Sequence, residues 1–452
     1  MDEKELYSFL KKKIRENGYY EELDYEPLDY FDNKRLMKVP KLHIGLINIP
    51  CEGFGDIVNC AIFYKTLKDW YPNIRITICT SELYKFQTLQ IKNLKFLELI
   101  KKQGKQECGN YGDYRFKKKP KEPFDIIGVV PLILSEGMEG SFKMSHLQKL
   151  IPYATRFNVF NVSEYNGESP PYTFPLGVGR YQMGLLLSDM EIPEQTLIKK
   201  PFALSYIQES PNWGPHSNTC ILSFIEMICK KYNHHKTFQL IIPNWFHSLE
   251  FESGIFYSAS LKTRLINIVK QYFDILSILH YDEDGKRYKK ELYKDKKNNK
   301  LDNELILRGD ILPQPRIKFI SLMKDSVEDI LLTGDQSITD ALSYCRNTKR
   351  IWYQVAPWKQ DFGDEVGKSL PNAHLGNFRT TCGTLRSIRL KLNNKELKEK
   401  YDFRKLGKQR MDSVILLYLH RHEALLRYYF YCVEHSNYKE TLLNKFQKYK
   451  II

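Results

Sequence analysis

The sequence has 452 residues, of which 42% are hydrophobic and 27% are charged, and its formal net charge is +15. This composition excludes a disordered chain, and the length favours two domains. Apolar runs such as Val414 to Leu419 fall far short of the roughly 18 residues that a membrane-spanning helix needs. The first residues lack the apolar stretch and cleavage site of a secretory signal. We therefore expect a cytoplasmic protein without a transmembrane segment.

The first half of the chain predicts a strand, turn, helix, strand unit. The apolar run from Lys41 to Pro50 is bounded by prolines and is typical of a buried parallel strand. A loop then leads into an amphipathic helix from Ile57 to Trp70, and Ile74 to Cys79 follows as a second strand. A further strand is predicted at Phe124 to Val130, with later elements of unspecified type near Arg156 to Phe160. This order is typical of a doubly wound α/β domain.

The same order begins again after residue 200. Strands are predicted at Phe202 to Ile207, Phe238 to Ile242, Ile317 to Ile320, Ile330 to Thr333 and Arg350 to Val355, and helices at Cys220 to Tyr232, Thr263 to Phe273 and Ser337 to Tyr344. The stretch from Thr384 onward predicts helices without strands. We therefore expect two Rossmann-like α/β domains facing a cleft, at residues 41–195 and 196–380. Residues 1–40 are interpreted as an N-terminal extension and residues 381–452 as a helical extension.

The nine cysteines form no CxxC pair and have no zinc-ligand spacing. We expect free thiols, no metal site and no bound cofactor. The basic stretches, Arg115 to Lys121 and Lys286 to Lys300, lack the spacing of an element that reads a nucleic-acid groove. They are interpreted as solvated loops that offer a surface to an anionic partner.

A first candidate site lies in the turn between the first strand and helix. Gly53, Phe54 and Gly55 let a ligand approach the backbone, and a helix N-terminus favours anions. A full GxGxxG pattern is absent, which disfavours a dinucleotide site. Asp56 is either a catalytic carboxylate or an ordinary N-cap. Arg180, in a later glycine-rich loop, either lines the same cleft or belongs to a plain turn.

A second candidate site is the turn before Ser337 to Tyr344. Gly334, Asp335, Gln336 and Ser337 stand between a strand and a helix, where backbone N–H groups and the Ser337 hydroxyl suit a phosphate. The alternative is an ordinary Asp or Ser cap. Both turns are predicted at carboxyl ends of parallel strands, which is where α/β proteins bind ligands.

These motifs resemble a known family. Gly53-Phe-Gly-Asp56, followed by a helix that ends in Trp70-Tyr-Pro-Asn73, resembles the N-terminal turn and helix of GT-B glycosyltransferases, and of bacterial heptosyltransferases and protein-arginine rhamnosyltransferases most closely. Thr333-Gly-Asp-Gln-Ser337, followed by Asp340-Ala-Leu342, is similar to their donor-diphosphate turn. The resemblance covers roughly residues 41–80 and 200–365.

The resemblance implies a GT-B fold and an inverting, metal-independent transfer of a sugar from a nucleotide-sugar donor. In that interpretation Asp56 is the general base, and Gly334 to Ser337 bind the donor. A basic side chain is expected to assist, and Arg316, Lys318 and Lys359 are the candidates. The acceptor is a glycan, a protein or another molecule, which the sequence does not specify.

Two alternatives stay open. A sugar-nucleotide epimerase or hydrolase fits the same fold, because a fold does not determine chemistry. A nucleic-acid-binding protein without catalysis fits the positive charge.

Overall fold

Two parallel-dominated sheets with flanking helices make up the described part of the chain. The computed structural model describes residues 42–51, 53–89, 91, 94–102, 110–122, 124–133, 146–147, 150, 159–165, 173–179, 182–194, 197–208, 216–247, 261–282, 284–295, 303–345, 348–356, 359–369, 373–390 and 394–434. These residues belong to two units. Unit 1 is drawn from residues up to 177, 181–186 and 401 onward, and unit 2 from residues 178–180 and 187–400.

The elements are numbered in chain order. The strands are β1 (His43–Asn48), β2 (Arg75–Thr80), β3 (Lys95–Lys101), β4 (Tyr114–Phe116), β5 (Ile126–Leu132), β6 (Val159–Ser163), β7 (Thr173–Phe174), β8 (Phe202–Tyr206), β9 (Thr237–Ile241), β10 (Ile275–Tyr281), β11 (Arg287–Lys294), β12 (Glu304–Arg308), β13 (Asp329–Leu332), β14 (Arg350–Tyr353), β15 (Ala373–Arg379) and β16 (Thr384–Leu390). The helices are α1 (Gly55–Trp70), α2 (Leu83–Thr88), α3 (His216–Tyr232), α4 (Leu261–Val269), α5 (Arg316–Asp325), α6 (Asp335–Tyr344), α7 (Gln360–Ser369), α8 (Asn394–Tyr401) and α9 (Phe403–Glu434).

The sheet of unit 1 has the strand order β4-β3-β2-β1-β5-β6-β7. Its pairs are parallel except for β3 with β4. Every residue of β1 and of β5 is buried, as expected for central strands covered on both faces. The chain runs outward from β1 through β2 to β3, and β5 then starts on the other side of β1. The boundary between β1 and β5 is therefore a topological switch point.

Helix α9 packs on unit 1, although it follows unit 2 in the sequence. The ring of Phe403 lies 5.6 Å from that of Phe63 on α1 and 6.1 Å from that of Phe174 on β7, measured between centroids. Further along the helix, the Tyr418 hydroxyl donates to Oδ1 of the buried Asp125 at 3.1 Å. The helix therefore contributes aromatic surface and a hydrogen bond to the core of unit 1.

The sheet of unit 2 has the strand order β11-β10-β12-β9-β8-β13-β14-β16-β15. The strands from β10 to β14 in this order are parallel, and β11, β15 and β16 pair antiparallel at the two edges. Buried side chains of α3 and α4 pack with the sheet; Phe224, Leu265 and Leu240 are each 0% exposed. The chain leaves β8 towards β9 and returns to its other side at β13. A second switch point therefore lies between β8 and β13.

Three predictions of local structure were wrong. Residues 317–320 lie in helix α5, not in a strand. Residues 384–390 form β16, which pairs with β14 and β15, so the C-terminal stretch is not purely helical. Residues 287–294 of the lysine-rich stretch form the edge strand β11. For the two strands, pairing with other segments of the chain decides the structure, and a local pattern does not report it.

The predicted fold class is confirmed at the level of two Rossmann-like α/β domains with a helical C-terminal segment. The units differ from the predicted boundaries, because residues 187–195 fall in unit 2 and residues from 401 onward in unit 1. Among the described residues, no helix is both long and apolar enough to span a membrane.

Candidate functional site

The turn predicted from Gly53 to Asp56 follows the carboxyl end of β1, at the switch point of unit 1. Asn48, the last residue of β1, is fully buried. Its Nδ2 donates to the carbonyl oxygen of Val130 on β5 at 2.8 Å and to that of Asp56 at 3.1 Å. One amide therefore ties the start of α1 to the neighbouring strand across the switch point. Sequence reasoning missed Asn48. The sign that could have revealed it is a polar residue at the end of a mostly apolar strand.

The two glycines leave open space beside this turn. Leaving aside chain neighbours and the backbone of the helix itself, a Cβ at Gly55 would have no heavy atom of the structurally described part of the chain within 4 Å, and one at Gly53 would meet only the Gly55 nitrogen at 3.9 Å. The Phe54 side chain is 51% exposed, and Lys85 Nζ lies 6.0 Å from the centroid of its ring. The turn therefore presents an exposed aromatic ring and an accessible backbone at the edge of the sheet.

Asp56 lies in the first turn of α1 and is not its N-cap. The cap position is occupied by Phe54, and no side chain there bonds to the helix. Instead, Asp56 Oδ2 accepts a hydrogen bond from the Cys51 N–H at 2.9 Å. The alternative of an ordinary N-cap is therefore wrong for this residue. The carboxylate closes the loop that precedes the helix.

A second carboxylate and a buried phenol lie in the surroundings of Asp56. The Tyr111 side chain is 1% exposed, and its hydroxyl accepts from the Ile133 N–H at 2.9 Å. Burial raises the pKa of Tyr111, and the charges of Asp56 and Glu164 raise it further. Glu164 directly follows β6, so it too stands at the carboxyl edge of the sheet. No sequence motif marked Tyr111 or Glu164.

The expectation that all cysteines are free thiols was wrong. Cys51, which begins the loop before α1, is disulfide-bonded. Free thiols are found at Cys60, Cys79, Cys220, Cys229, Cys345 and Cys382. Sequence spacing misled the prediction, because a disulfide requires only that two Cα atoms come within about 7 Å in space.

The turn predicted from Gly334 to Ser337 lies at the switch point of unit 2. It follows β13, and α6 begins at Asp335. Gly334 has φ +79° and ψ 152°, which a residue with a side chain rarely adopts. The Gly334 carbonyl accepts the first helical bond from the Ile338 N–H at 3.2 Å. The N–H groups of the first helical turn therefore face the carboxyl edge of the sheet, where an anion is favoured.

Two ion pairs flank this turn. Lys359, itself 6% exposed, places Nζ 2.8 Å from Asp335 Oδ2. Arg316 on α5 donates to both carboxylate oxygens of Asp340 on α6, at 3.0 and 2.5 Å. Burial lowers the pKa of Arg316, but the hydrogen bonds and charge of Asp340 outweigh it, so the net pKa is raised. Gln336 Nε2 also donates to Asp340 Oδ1, at 2.9 Å.

These contacts bring several predicted residues together. Arg316 donates to Asp340, which also accepts from Gln336 in the α6 turn. Lys318, by contrast, is exposed on α5. Ser337 lies half-buried in the first turn of α6. Arg180 lies outside the described residues.

A pair of glutamines joins the strand ends around the turn. The Gln208 N–H donates to Gln354 Oε1 at 3.2 Å, and Gln354 Nε2 donates to the Gln208 carbonyl at 3.4 Å. The Thr333 hydroxyl donates to the Gln354 carbonyl at 3.2 Å. Because Gln208 follows β8 and Gln354 follows β14, these bonds fix the ends of three adjacent strands. Sequence reasoning missed both glutamines.

No group of three or more His, Cys, Asp or Glu side chains with metal-binding geometry occurs among the residues that the structure describes.

No protein-family model matches this sequence, and no curated protein matches it. Among solved structures, one similar chain is a protein assigned as a UDP-N-acetylglucosamine 2-epimerase from Listeria monocytogenes, with 9% identity and a TM-score of 0.34, covering 88% of this chain and 97% of that one. Another is the N-terminal domain of trehalose-6-phosphate phosphatase from Candida albicans, with 8% identity and a TM-score of 0.34, covering 87% and 99%. These likenesses are too distant to assign a function or a residue role.

Proposed function

We propose that this protein is an inverting glycosyltransferase that moves a sugar from a nucleotide-sugar donor to an acceptor without an essential metal. One observation carries the proposal. Each of two successive Rossmann-like units has a glycine-containing polar turn that opens a helix at its topological switch point, where α/β proteins bind ligands. These two turns also carry the resemblance to GT-B glycosyltransferases, and to heptosyltransferases in particular.

The turn at Gly334 to Ser337 binds the donor diphosphate in this proposal. The helix N-terminus supplies N–H groups and a partial positive charge that stabilise an anion. Among the described residues, and apart from its chain neighbours, no heavy atom lies within 4 Å of a Cβ built at Gly334, so a phosphate has room to approach the backbone. During transfer, negative charge grows on the leaving diphosphate, and fixed N–H donors are well suited to stabilise it.

Arg316 acts as a positioning residue in this scheme. Its guanidinium is engaged by Asp340, which lies within α6. Arg316 therefore holds the helix whose first turn binds the donor. Lys359 serves in the same way through Asp335.

Asp56 is the general base of the proposed reaction. It takes the proton from the acceptor hydroxyl as the oxygen attacks the anomeric carbon, and the bond from that carbon to the diphosphate breaks. Attack from the face opposite the leaving group inverts the anomeric configuration. The Cys51 N–H holds one carboxylate oxygen at 2.9 Å, which orients the group at the mouth of the turn.

The first test is nucleotide binding by the full-length protein, measured as a rise in melting temperature. A ligand at about 100 times its dissociation constant stabilises the native state by about 2.7 kcal/mol. UDP, GDP, dTDP, CMP and their sugars are compared with and without EDTA. We expect one nucleotide class to raise the melting temperature in both conditions. No shift with any nucleotide contradicts the proposal.

The second test is turnover of Asp56→Asn, with Asp69→Asn as a matched control at the exposed end of the same helix. We expect Asp56→Asn to lower the transfer rate by about 10²- to 10⁴-fold, the usual contribution of a general base, with donor binding unchanged. Asp69→Asn is expected to keep full activity. Full activity of Asp56→Asn removes this residue from catalysis. Conversion of the donor without any acceptor indicates an epimerase or hydrolase instead.

A further inference from the structure

A cavity in unit 2 lies away from the α6 turn. It has a volume of about 500 Å³ and is lined by the residues that follow β9, β10 and β12. Its volume lies within the range of roughly 300–1,000 Å³ that is typical of small-molecule sites. Strands β9 and β8 separate β12 from β13, so at about 4.8 Å per strand the pocket stands roughly 14 Å along the sheet edge from the α6 turn. We call it the β12 pocket.

The lining of the β12 pocket combines an exposed aromatic ring with hydrogen-bonding groups. Tyr281, the last residue of β10, is 49% exposed. Asp282 follows it, and Asn244 and Gln314 add two side-chain amides from the segments that follow β9 and β12. Amides both donate and accept hydrogen bonds, whereas a carboxylate only accepts them. This set suits a ligand with several hydroxyl groups and one apolar face.

The charges around the pocket disfavour an ionic ligand. Asp310 lines the pocket, but its carboxylate accepts from Arg308 at 2.7 and 3.0 Å and from Arg287 at 2.7 Å. Its negative charge is therefore already compensated. No lysine or arginine belongs to the described lining, so a phosphate has no cationic partner there. A divalent cation is equally disfavoured, because Asp282 is then the one carboxylate left to bind it among the described lining residues.

We propose that the β12 pocket binds a neutral carbohydrate. The apolar face of a pyranose ring packs on Tyr281, and its hydroxyl groups bond to the Asp282 carboxylate and to the amides of Asn244 and Gln314. Two details favour a preformed wall. Gln314 Nε2 donates to the Ile311 carbonyl at 2.6 Å, and Asp282 Oδ1 accepts from the Lys286 N–H at 2.7 Å. The proposal uses no residue of the α6 turn, so it stands or fails separately from the proposed transfer reaction.

The test is saturation-transfer NMR on the full-length protein with glucose, N-acetylglucosamine and cellobiose as neutral probes and glucose 6-phosphate as an anionic probe. We expect transfer to at least one neutral sugar and weaker transfer to glucose 6-phosphate. Asp282→Asn keeps an oxygen for the Lys286 N–H and removes the charge. Because a hydrogen bond to a charged group is worth more than one to a neutral group, this variant is expected to weaken sugar binding about tenfold.

Matched variants separate this site from the rest of the molecule. Asp284→Asn changes an exposed carboxylate in the same β10–β11 turn that does not line the pocket, and it is expected to leave binding unchanged. Tyr281→Ala is expected to abolish the signal, and Ser337→Ala to preserve it. No transfer to any neutral sugar, or equal transfer in wild type and both pocket variants, overturns the proposal. Stronger transfer to glucose 6-phosphate overturns the argument from charge.

Discussion

Replacing Gly334 by alanine isolates the backbone strain at the start of α6. The residue has φ +79° and ψ 152°, a region that is essentially restricted to glycine. Apart from atoms of its chain neighbours, a Cβ at this position would meet no heavy atom of the described residues within 4 Å. The added methyl group therefore causes no clash, and any loss of stability comes from the dihedral angles alone.

The expected loss follows from two opposing terms. Holding alanine in this region costs about 1–3 kcal/mol. Alanine also lowers the entropy of the unfolded chain relative to glycine, which returns about 0.4–1 kcal/mol. We therefore expect Gly334→Ala to lower the free energy of unfolding by about 1–2 kcal/mol.

Urea denaturation measures this loss, and hydrogen exchange of the β13 and α6 amides localises it to unit 2. The matched control is Gly55→Ala, because a Cβ at Gly55 is likewise clear of the described residues beyond its own helix and chain neighbours, and the φ of Gly55 lies outside the region from +20° to +160°. Since Gly55 begins α1, alanine there is expected to be neutral or stabilising by up to about 1 kcal/mol. The reasoning is refuted if Gly334→Ala is as stable as wild type, or if both variants lose the same stability.

Two further predictions concern buried polar contacts. Asp340→Asn removes the charge that pairs with Arg316, whose side chain is 21% exposed, and we expect a loss of about 2–4 kcal/mol in urea denaturation. The control Asp364→Asn breaks a pair with Arg386 in which both side chains are at least 40% exposed, and a change above about 1 kcal/mol there contradicts the argument from burial. Tyr418→Phe removes the hydrogen bond to the buried Asp125, and we expect it to destabilise unit 1 by about 1–3 kcal/mol, with faster hydrogen exchange in α9. Unchanged exchange in α9 would show that this bond does not hold the helix.

The central strands and first helices could be predicted because their own sequences show apolar runs or amphipathic periodicity. The six residues of β1 are all buried, which a short, mostly apolar run between two prolines indicates well. The failure at residues 317–320 has a clear cause. Ile317 is 39% exposed and Ile320 is buried. So short an apolar run does not distinguish the 3.6-residue period of a helix from the two-residue period of a strand. Pro315 at the N-cap was the available helix signal.

The edge strands could not be predicted locally. Strand β16 exists through its antiparallel pairing with β14 and β15, and β11 through its pairing with β10. Charged residues are also common on edge strands, because they oppose pairing with another chain. The basic stretch at 287–294 therefore resembles a solvated loop in sequence, although it completes a sheet.

The two candidate turns were predictable, but the residues that hold them were not. Glycine and aspartate between a strand and a helix mark each turn in the sequence. Asn48, Gln208 and Gln354 act through bonds to other strands, and the identity of those strands follows from the sheet order alone. The switch points likewise depend on which strand lies next to which, so they became visible with the strand order.

The electrostatics of the two turns differ in a way that supports different roles. At the α6 turn, the carboxylate of Asp335 faces the ammonium of Lys359, and that of Asp340 faces Arg316, so these four side chains add no net charge. Attraction of a diphosphate then comes from the oriented N–H groups of the helix start, which need no counterion. At the α1 turn, the carboxylate of Asp56 accepts a neutral backbone N–H from Cys51. In the proposed reaction the two turns therefore have different roles: the N–H groups at the start of α6 bind the donor diphosphate, and the Asp56 carboxylate takes the proton from the acceptor hydroxyl.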